Sequence, residues 1–172
     1  MKRIITVTVN NRSGVLNRIT GLFTKRHFNI ESITVGATED PAISRMTFIL
    51  RVQEEKDAEQ VTKQLNKQID VLKVEDITES SLVARELALI KVASKPSTFM
   101  ELRSLIDPFR ASIVDSSRES MVVQVTGESG KIEALIDLLR PYGIIEIART
   151  GTTAFKRSTQ RSSAGDQSLS LV

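Results

Sequence analysis

The stretch NNRSGVLNRITGLFTKRHFNIESITVG, residues 10–36, decides how this chain folds. It reads as the end of a strand, a tight polar loop, an amphipathic helix and a second strand. Val15, Leu16, Ile19, Leu22 and Phe23 recur at the helical period on one side, and residues 29–37 return to a strand. The loop Asn10-Asn11-Arg12-Ser13-Gly14 therefore opens a helix. There the first backbone N–H groups lack intrahelical partners and the helix dipole is positive. Such a terminus, with two amide side chains beside it, suits a carboxylate or a phosphate. No residue near it is suited to making or breaking bonds.

The neighbouring segments complete the unit. Residues 3–10 alternate, with Ile5, Val7 and Val9 on one face, and residues 44–53 alternate through Met46, Phe48, Leu50 and Val52. Asp57-Ala58-Glu59-Gln60 resembles a capping box and predicts a helix with Val61, Leu65 and Ile69 inward. Residues 71–78 close a fourth strand, so the order is βαββαβ. The order repeats after the polar connector Glu79-Ser80-Ser81, as a strand over 86–93 and a helix opened by Thr98 with Leu102, Leu105, Ile106 and Phe109. Strands over 111–117 and 120–127 follow, then a helix from Ser129 ended by Pro141 and Gly143, and a strand over 144–150. The prediction is an α+β chain of two ferredoxin-like βαββαβ domains in tandem, residues 1–78 and 84–156. A linker over 79–83 joins them, and residues 157–172, rich in Ser, Thr and Gln, read as a disordered tail. Each sheet has helices on one face only. Ile33, Val35 and Ile49 are apolar residues that stay exposed unless another copy or the partner domain covers them, and a dimer is expected.

Composition narrows the chemistry. With no cysteine among 172 residues, disulfides, thiolate nucleophiles and cysteine metal sites are excluded, as suits a reducing cytoplasm. His27 is the single histidine, so any histidine triad or cluster would depend on it, and its setting before Phe28 makes it a surface or interface residue. The net charge of +3 is modest and partly carried by Lys156, Arg157 and Arg161, which argues little for nucleic acid. The Lys2-Arg3 start lacks the apolar run and cleavage site of a signal peptide, and no apolar run is long enough to span a bilayer. A cytoplasmic protein without membrane contact is expected.

In these same residues the chain resembles the small regulatory subunits of acetolactate synthase, also called acetohydroxyacid synthase. The resemblance runs through Asn11, Ser13-Gly14, Leu16, Arg18, Gly21-Leu22-Phe23, Asn29-Ile30-Glu31-Ser32 and Ser44-Arg45-Met46-Thr47, the pattern of that family's amino-acid-binding ACT domain. It continues through Arg85-Glu86-Leu87-Ala88-Leu89-Ile90-Lys91-Val92, Phe109-Arg110-Ala111 and Ile147-Ala148-Arg149-Thr150-Gly151 of the carboxy-terminal domain. It implies a non-catalytic chain without cofactors of its own. Its partner would be a catalytic large subunit that carries thiamine diphosphate, Mg²⁺ and FAD. This chain would activate that subunit and make it sensitive to feedback inhibition by valine in branched-chain amino acid synthesis.

The resemblance also implies where valine would bind: at the interface of two ACT domains in a homodimer. Gly14, Val15 and Leu16 would meet the carboxylate through backbone N–H groups, and Asn11 and Asn29 would accept from the ammonium. Leu16, Ile30, Ile33 and Val35 would wall the isopropyl group. Each residue has a plainer role open to it. Gly14 can ease the turn, Asn11 can cap the helix, Asn29 can mark the helix-to-strand change, and the apolar residues can be core. The corresponding loop of the second unit, Ser94-Lys95-Pro96-Ser97, has a proline with no N–H to offer.

Three other readings compete. An ACT-type sensor could act on a different enzyme. An RNA-recognition domain shares the βαββαβ order but needs aromatics on its two central strands, where only Phe48 stands. An acylphosphatase uses an arginine after the first strand, where Arg12 sits, but the loop lacks the glycines to wrap a phosphate.

Overall fold

Strict alternation sets the first strand: Ile5, Val7 and Val9 of β1 (Lys2–Asn10) share one face and are buried. β3 (Ile43–Arg51) has the same length of nine residues, and the two pair antiparallel throughout, from Lys2 opposite Arg51 to Asn10 opposite Ile43. β2 (Asn29–Ala37) and β4 (Val71–Asp76) flank this pair in the computed structural model, which describes residues 1–158. The sheet order is β2-β3-β1-β4 and every neighbour is antiparallel. α1 (Val15–Lys25) and α2 (Glu55–Leu65) cover one face with Val15, Ile19, Phe23, Ala58, Val61 and Leu65. Phe23 meets Phe48 edge to face at 4.9 Å in the middle of this core.

The second unit repeats the plan. β5 (Leu82–Ala93), α3 (Phe99–Ile106), β6 (Ser112–Ser116), β7 (Ser120–Gly127), α4 (Ser129–Leu139) and β8 (Ile144–Arg149) follow in turn. The sheet order β6-β7-β5-β8 matches that of the first sheet. Ile90, Val123, Leu102, Ile132 and Leu135 centre its core.

Three expectations change. The capping box of α2 is formed by Glu54 and Asp57, one turn before the predicted group, with the Glu54 N–H donating to Asp57 Oδ2 at 3.0 Å. The α-helix stops at Leu65, beyond which the Lys67 and Gln68 N–H groups bond three residues back, to the Gln64 and Leu65 carbonyls, and Ile69, predicted inward, is 91% exposed. β5 begins at Leu82, inside the predicted linker, and its first four residues pair with β9 (Thr153–Lys156), a strand that local pattern does not announce. The predicted tail lies outside the described residues from 159 onward; Arg157, its first residue, donates from its backbone N–H to the Ser81 carbonyl at 2.8 Å.

The open face of the first sheet is covered by the chain itself. Thr34 donates to the Thr152 carbonyl at 3.0 Å, Arg45 donates to the Ala154 carbonyl and packs on the Phe155 ring, and Lys156 pairs with Glu75. Ile49, expected to need a partner, is 3% exposed, and Thr6 and Thr47 beside it are also buried. Ile33 and Val35 face the other way. Ile33 pairs across from Phe48 and packs on the core, while Val35 stays 46% exposed near the outer edge.

The contrast between Phe48 and Ile69 is measurable by urea unfolding followed by circular dichroism. Phe48→Ala is expected to lose about 3–5 kcal/mol through the cavity it opens, whereas Ile69→Lys should change stability by less than about 0.5 kcal/mol.

Candidate functional site

The polar loop is fixed on one side and open on the other. Asn10 and Asn11 donate their backbone N–H groups to the Asp70 and Ala42 carbonyls, at 2.9 and 2.7 Å. The Asn11 side-chain amide donates to the Pro41 carbonyl at 2.9 Å, which orients its Oδ1 away from that turn. Gly14 caps α1 in the left-handed region at φ +82°, without a side-chain cap, and nothing lies within 4 Å of where its Cβ would be. Glycine is favoured here by the backbone conformation rather than by crowding.

Of the three N–H groups expected to meet a carboxylate, those of Gly14 and Leu16 have no partner among the described residues, while that of Val15 donates to the Arg12 carbonyl at 3.4 Å. The Val15 side chain is core, and Leu16 is 41% exposed. Arg18, one turn further on, is paired with the buried carboxylate of Asp70.

The other half of the predicted site is distant. Asn29 starts β2 opposite Arg51, whereas the loop follows Asn10, which lies opposite Ile43. The length of β3 separates them, roughly 27 Å at the usual rise of a strand. Ile30 and Ile33 are half-buried against the first core, and Asn29 is exposed. The two groups of residues expected to form the site therefore lie at opposite ends of the first sheet.

Sequence reasoning missed a second polar centre, where the two units meet. Thr152 is buried there, and each of its polar groups is engaged. Its N–H donates to Ser32 Oγ at 3.1 Å, its carbonyl accepts from Thr34, and its hydroxyl donates to Glu86 Oε1 at 2.6 Å. Arg149 approaches the other Glu86 oxygen at 2.8–2.9 Å and continues to Glu133 and to Ser129 Oγ on α4. Gly151 fits so closely that a Cβ would lie 2.6 Å from the Ile33 carbonyl oxygen and 2.5 Å from Ser32 Oγ. A cleft of about 590 Å³ opens beside this junction, lined by Ile30, Ser32, Glu86 and Arg149 among others. Arg149 and Gly151 belong to the string that carried the resemblance, but nothing local says which residues they touch.

Burial pushes the Glu86 carboxyl up, and the donors Thr152 and Arg149 outweigh it, so its pKa is lowered from its ordinary value. Burial likewise lowers that of Arg149, and the carboxylates of Glu133 and Glu86 turn the balance upward. The pair stays ionised at neutral pH, and neither group is poised for proton transfer.

The chemistry of other kinds is thinly represented. Among the described residues no three His, Cys, Asp or Glu side chains are grouped to hold a metal, and no helix is long and apolar enough to cross a membrane. Phe48 is buried in the first core, so it is not displayed for stacking on a base.

Comparison with known proteins follows the same division of the chain. The family model described as "AHAS small subunit-like ACT domain" matches residues 5–73, and the one described as "Small subunit of acetolactate synthase" matches residues 85–158. The acetolactate synthase small subunit of Bacillus subtilis (strain 168) is 70% identical over 172 residues, spanning 100% of both chains. The probable acetolactate synthase small subunit of Archaeoglobus fulgidus is 52% identical, over 94% of this chain and 100% of its own. Among solved structures, the acetolactate synthase small subunit from Thermotoga maritima superposes with a TM-score of 0.84 at 38% identity, covering 92% of this chain and 99% of that one.

The junction sets a pH dependence. A carboxylate whose folded pKa is depressed contributes stability above its unfolded value, and that contribution is lost as the pH falls through the folded one. Glu86→Gln should therefore melt below the wild type at about pH 7, with the gap narrowing towards about pH 3. An equal gap at both would show that the charge of Glu86 adds nothing to the junction.

Proposed function

This chain belongs to the acetolactate synthase small-subunit family, and on that premise we propose that it activates a catalytic large subunit and makes it sensitive to feedback inhibition by valine. An ACT domain in a small subunit supports a regulatory role. In this reading the chain is not itself catalytic and acts in the cytoplasm. The large subunit carries thiamine diphosphate, Mg²⁺ and FAD and performs the acetolactate-forming step of branched-chain amino acid synthesis.

The observation that carries the valine proposal is the loop at the start of α1. The unpartnered N–H groups of Gly14 and Leu16 suit a carboxylate at the positive end of a helix. Asn11, held by Pro41, has its amide oxygen free for an ammonium group. The apolar wall comes from exposed Leu16 and from Ile30, Ile33 and Val35.

A second copy would complete this site. β2 is an edge strand, and it runs parallel to β1 because both are antiparallel to β3. Antiparallel pairing of two β2 edges about a twofold axis would set the start of β2 from one chain beside the loop of the other. Asn29 of the partner subunit would then face Asn11, and Ile30 of the partner subunit would face Leu16.

Titration calorimetry of the purified chain with valine tests this directly, and saturable binding is expected. Gly14→Asp should weaken that binding more than tenfold, because its carboxylate would repel that of the ligand. Asp tolerates the left-handed conformation, and the site is open, so the fold should be little affected. Activation of the large subunit should persist. An unchanged inhibition curve in the variant would rule the loop out as the carboxylate site. Valine binding without any activation of the large subunit would point instead to a sensor that acts on another enzyme.

A further inference from the structure

Binding of a small ligand at the first domain changes a partner's activity only if some element takes different positions in the bound and free states. β2 is the strand where such an element can start. Asn29 and Ile30 stand at its beginning, and its pairing with β3 is irregular just after them: Ile30 lies opposite Leu50 and Ser32 opposite Ile49, so Glu31 is bulged out. A bulge lets the two parts of a strand adjust against each other. The residues beyond it, Ser32 and Thr34, are the ones that bond to Thr152 on the opposite face.

We propose that Thr152 is a positioning residue that couples the amino-acid site to the second domain, through the path β2–Ser32–Thr152–Glu86–Arg149–α4. The inference rests on the valine reading above. The geometry singles out Thr152 because it binds one unit with its backbone and the other with its side chain. Its N–H and carbonyl follow Ser32 and Thr34, and its hydroxyl holds Glu86, which holds Arg149, which reaches Ser129 and Glu133 on α4. Gly151 keeps the two backbones too close for any slack, since even a methyl group would collide with Ser32 and Ile33. A shift of β2 beyond the bulge must therefore move Thr152, and through its buried hydroxyl the carboxylate that orients Arg149. The whole path is made of direct contacts, with both units represented at its middle residue.

Thr152→Val keeps the size and both backbone contacts and removes only the hydroxyl. In the complex with the large subunit, the variant is expected to bind valine with an affinity within about twofold of wild type and to activate normally. The activity remaining at saturating valine should rise at least about fivefold over wild type, because bound valine no longer shifts the large subunit, a coupling change of the usual size for allosteric proteins. Thr152→Ser, which restores the hydroxyl, should restore inhibition. Ser32→Ala attacks the same path from the first domain; it should give the same phenotype, and the double variant should be no worse than either alone.

Calorimetry on each variant separates the outcomes. Unchanged inhibition in Thr152→Val overturns the inference, and so does a parallel loss of binding and inhibition, which would make Thr152 a support of the site itself. If Thr152→Val does not fold, Ser32→Ala alone decides: it must bind valine and resist inhibition. Failure of the wild type to bind valine would instead overturn the reading on which the inference rests.

Discussion

A sheet with helices on only one side leaves a second face to be covered, and that constraint organises this chain. In the first unit Thr6, Thr47 and Ile49 are closed off from water on the side away from α1 and α2. The cover is a short segment, Gly151 to Lys156, that arrives from the far end of the second unit. The segment is bound at both ends of its own length as well. Thr152 near its start holds Glu86, and its last four residues form β9 against the start of β5. The two units thus share one polypeptide segment and are more than two beads on a string.

How much of this could be read from the sequence depended on the range of the interaction. Alternation in Ile5, Val7 and Val9, helical spacing in Ile19 and Phe23, and Pro141 with Gly143 are local signals, and the elements they predict are present. The loop Asn11–Leu16 was also legible, because a polar turn before a helix with glycine in it has only a few geometries. Ile69 misled because its spacing continued the helical period past Leu65. The helix ends where the Lys67 and Gln68 N–H groups bond three residues back rather than four, a change that the spacing of apolar residues does not announce. β9 carried no pattern of its own: four residues pair with a strand about seventy positions away, and only the fold brings them together.

The junction was hidden for a related reason. Glu86 and Thr152 are 66 residues apart, and Arg149 looks like any basic residue on a strand until Glu86 is found beside it. A buried carboxylate is expensive unless donors satisfy it, and here a hydroxyl and a guanidinium do so. Removing either donor would leave one oxygen of the carboxylate buried without its partner. That asymmetry makes such a network sensitive to small movements, whereas an apolar contact of equal area would yield gradually.

The origin of the covering segment bears on how the protein is made. The residues that shield the first sheet lie 118 positions after the strand they bond to. During synthesis the ribosome completes the first βαββαβ unit well before those residues emerge, an interval of roughly 4–16 s at the usual rate of elongation. For that time Ile49 and its neighbours stand open to water or to whatever else is at hand, such as a chaperone or a second nascent chain. The last strand among the described residues is thus the one that shields the first unit from aggregation.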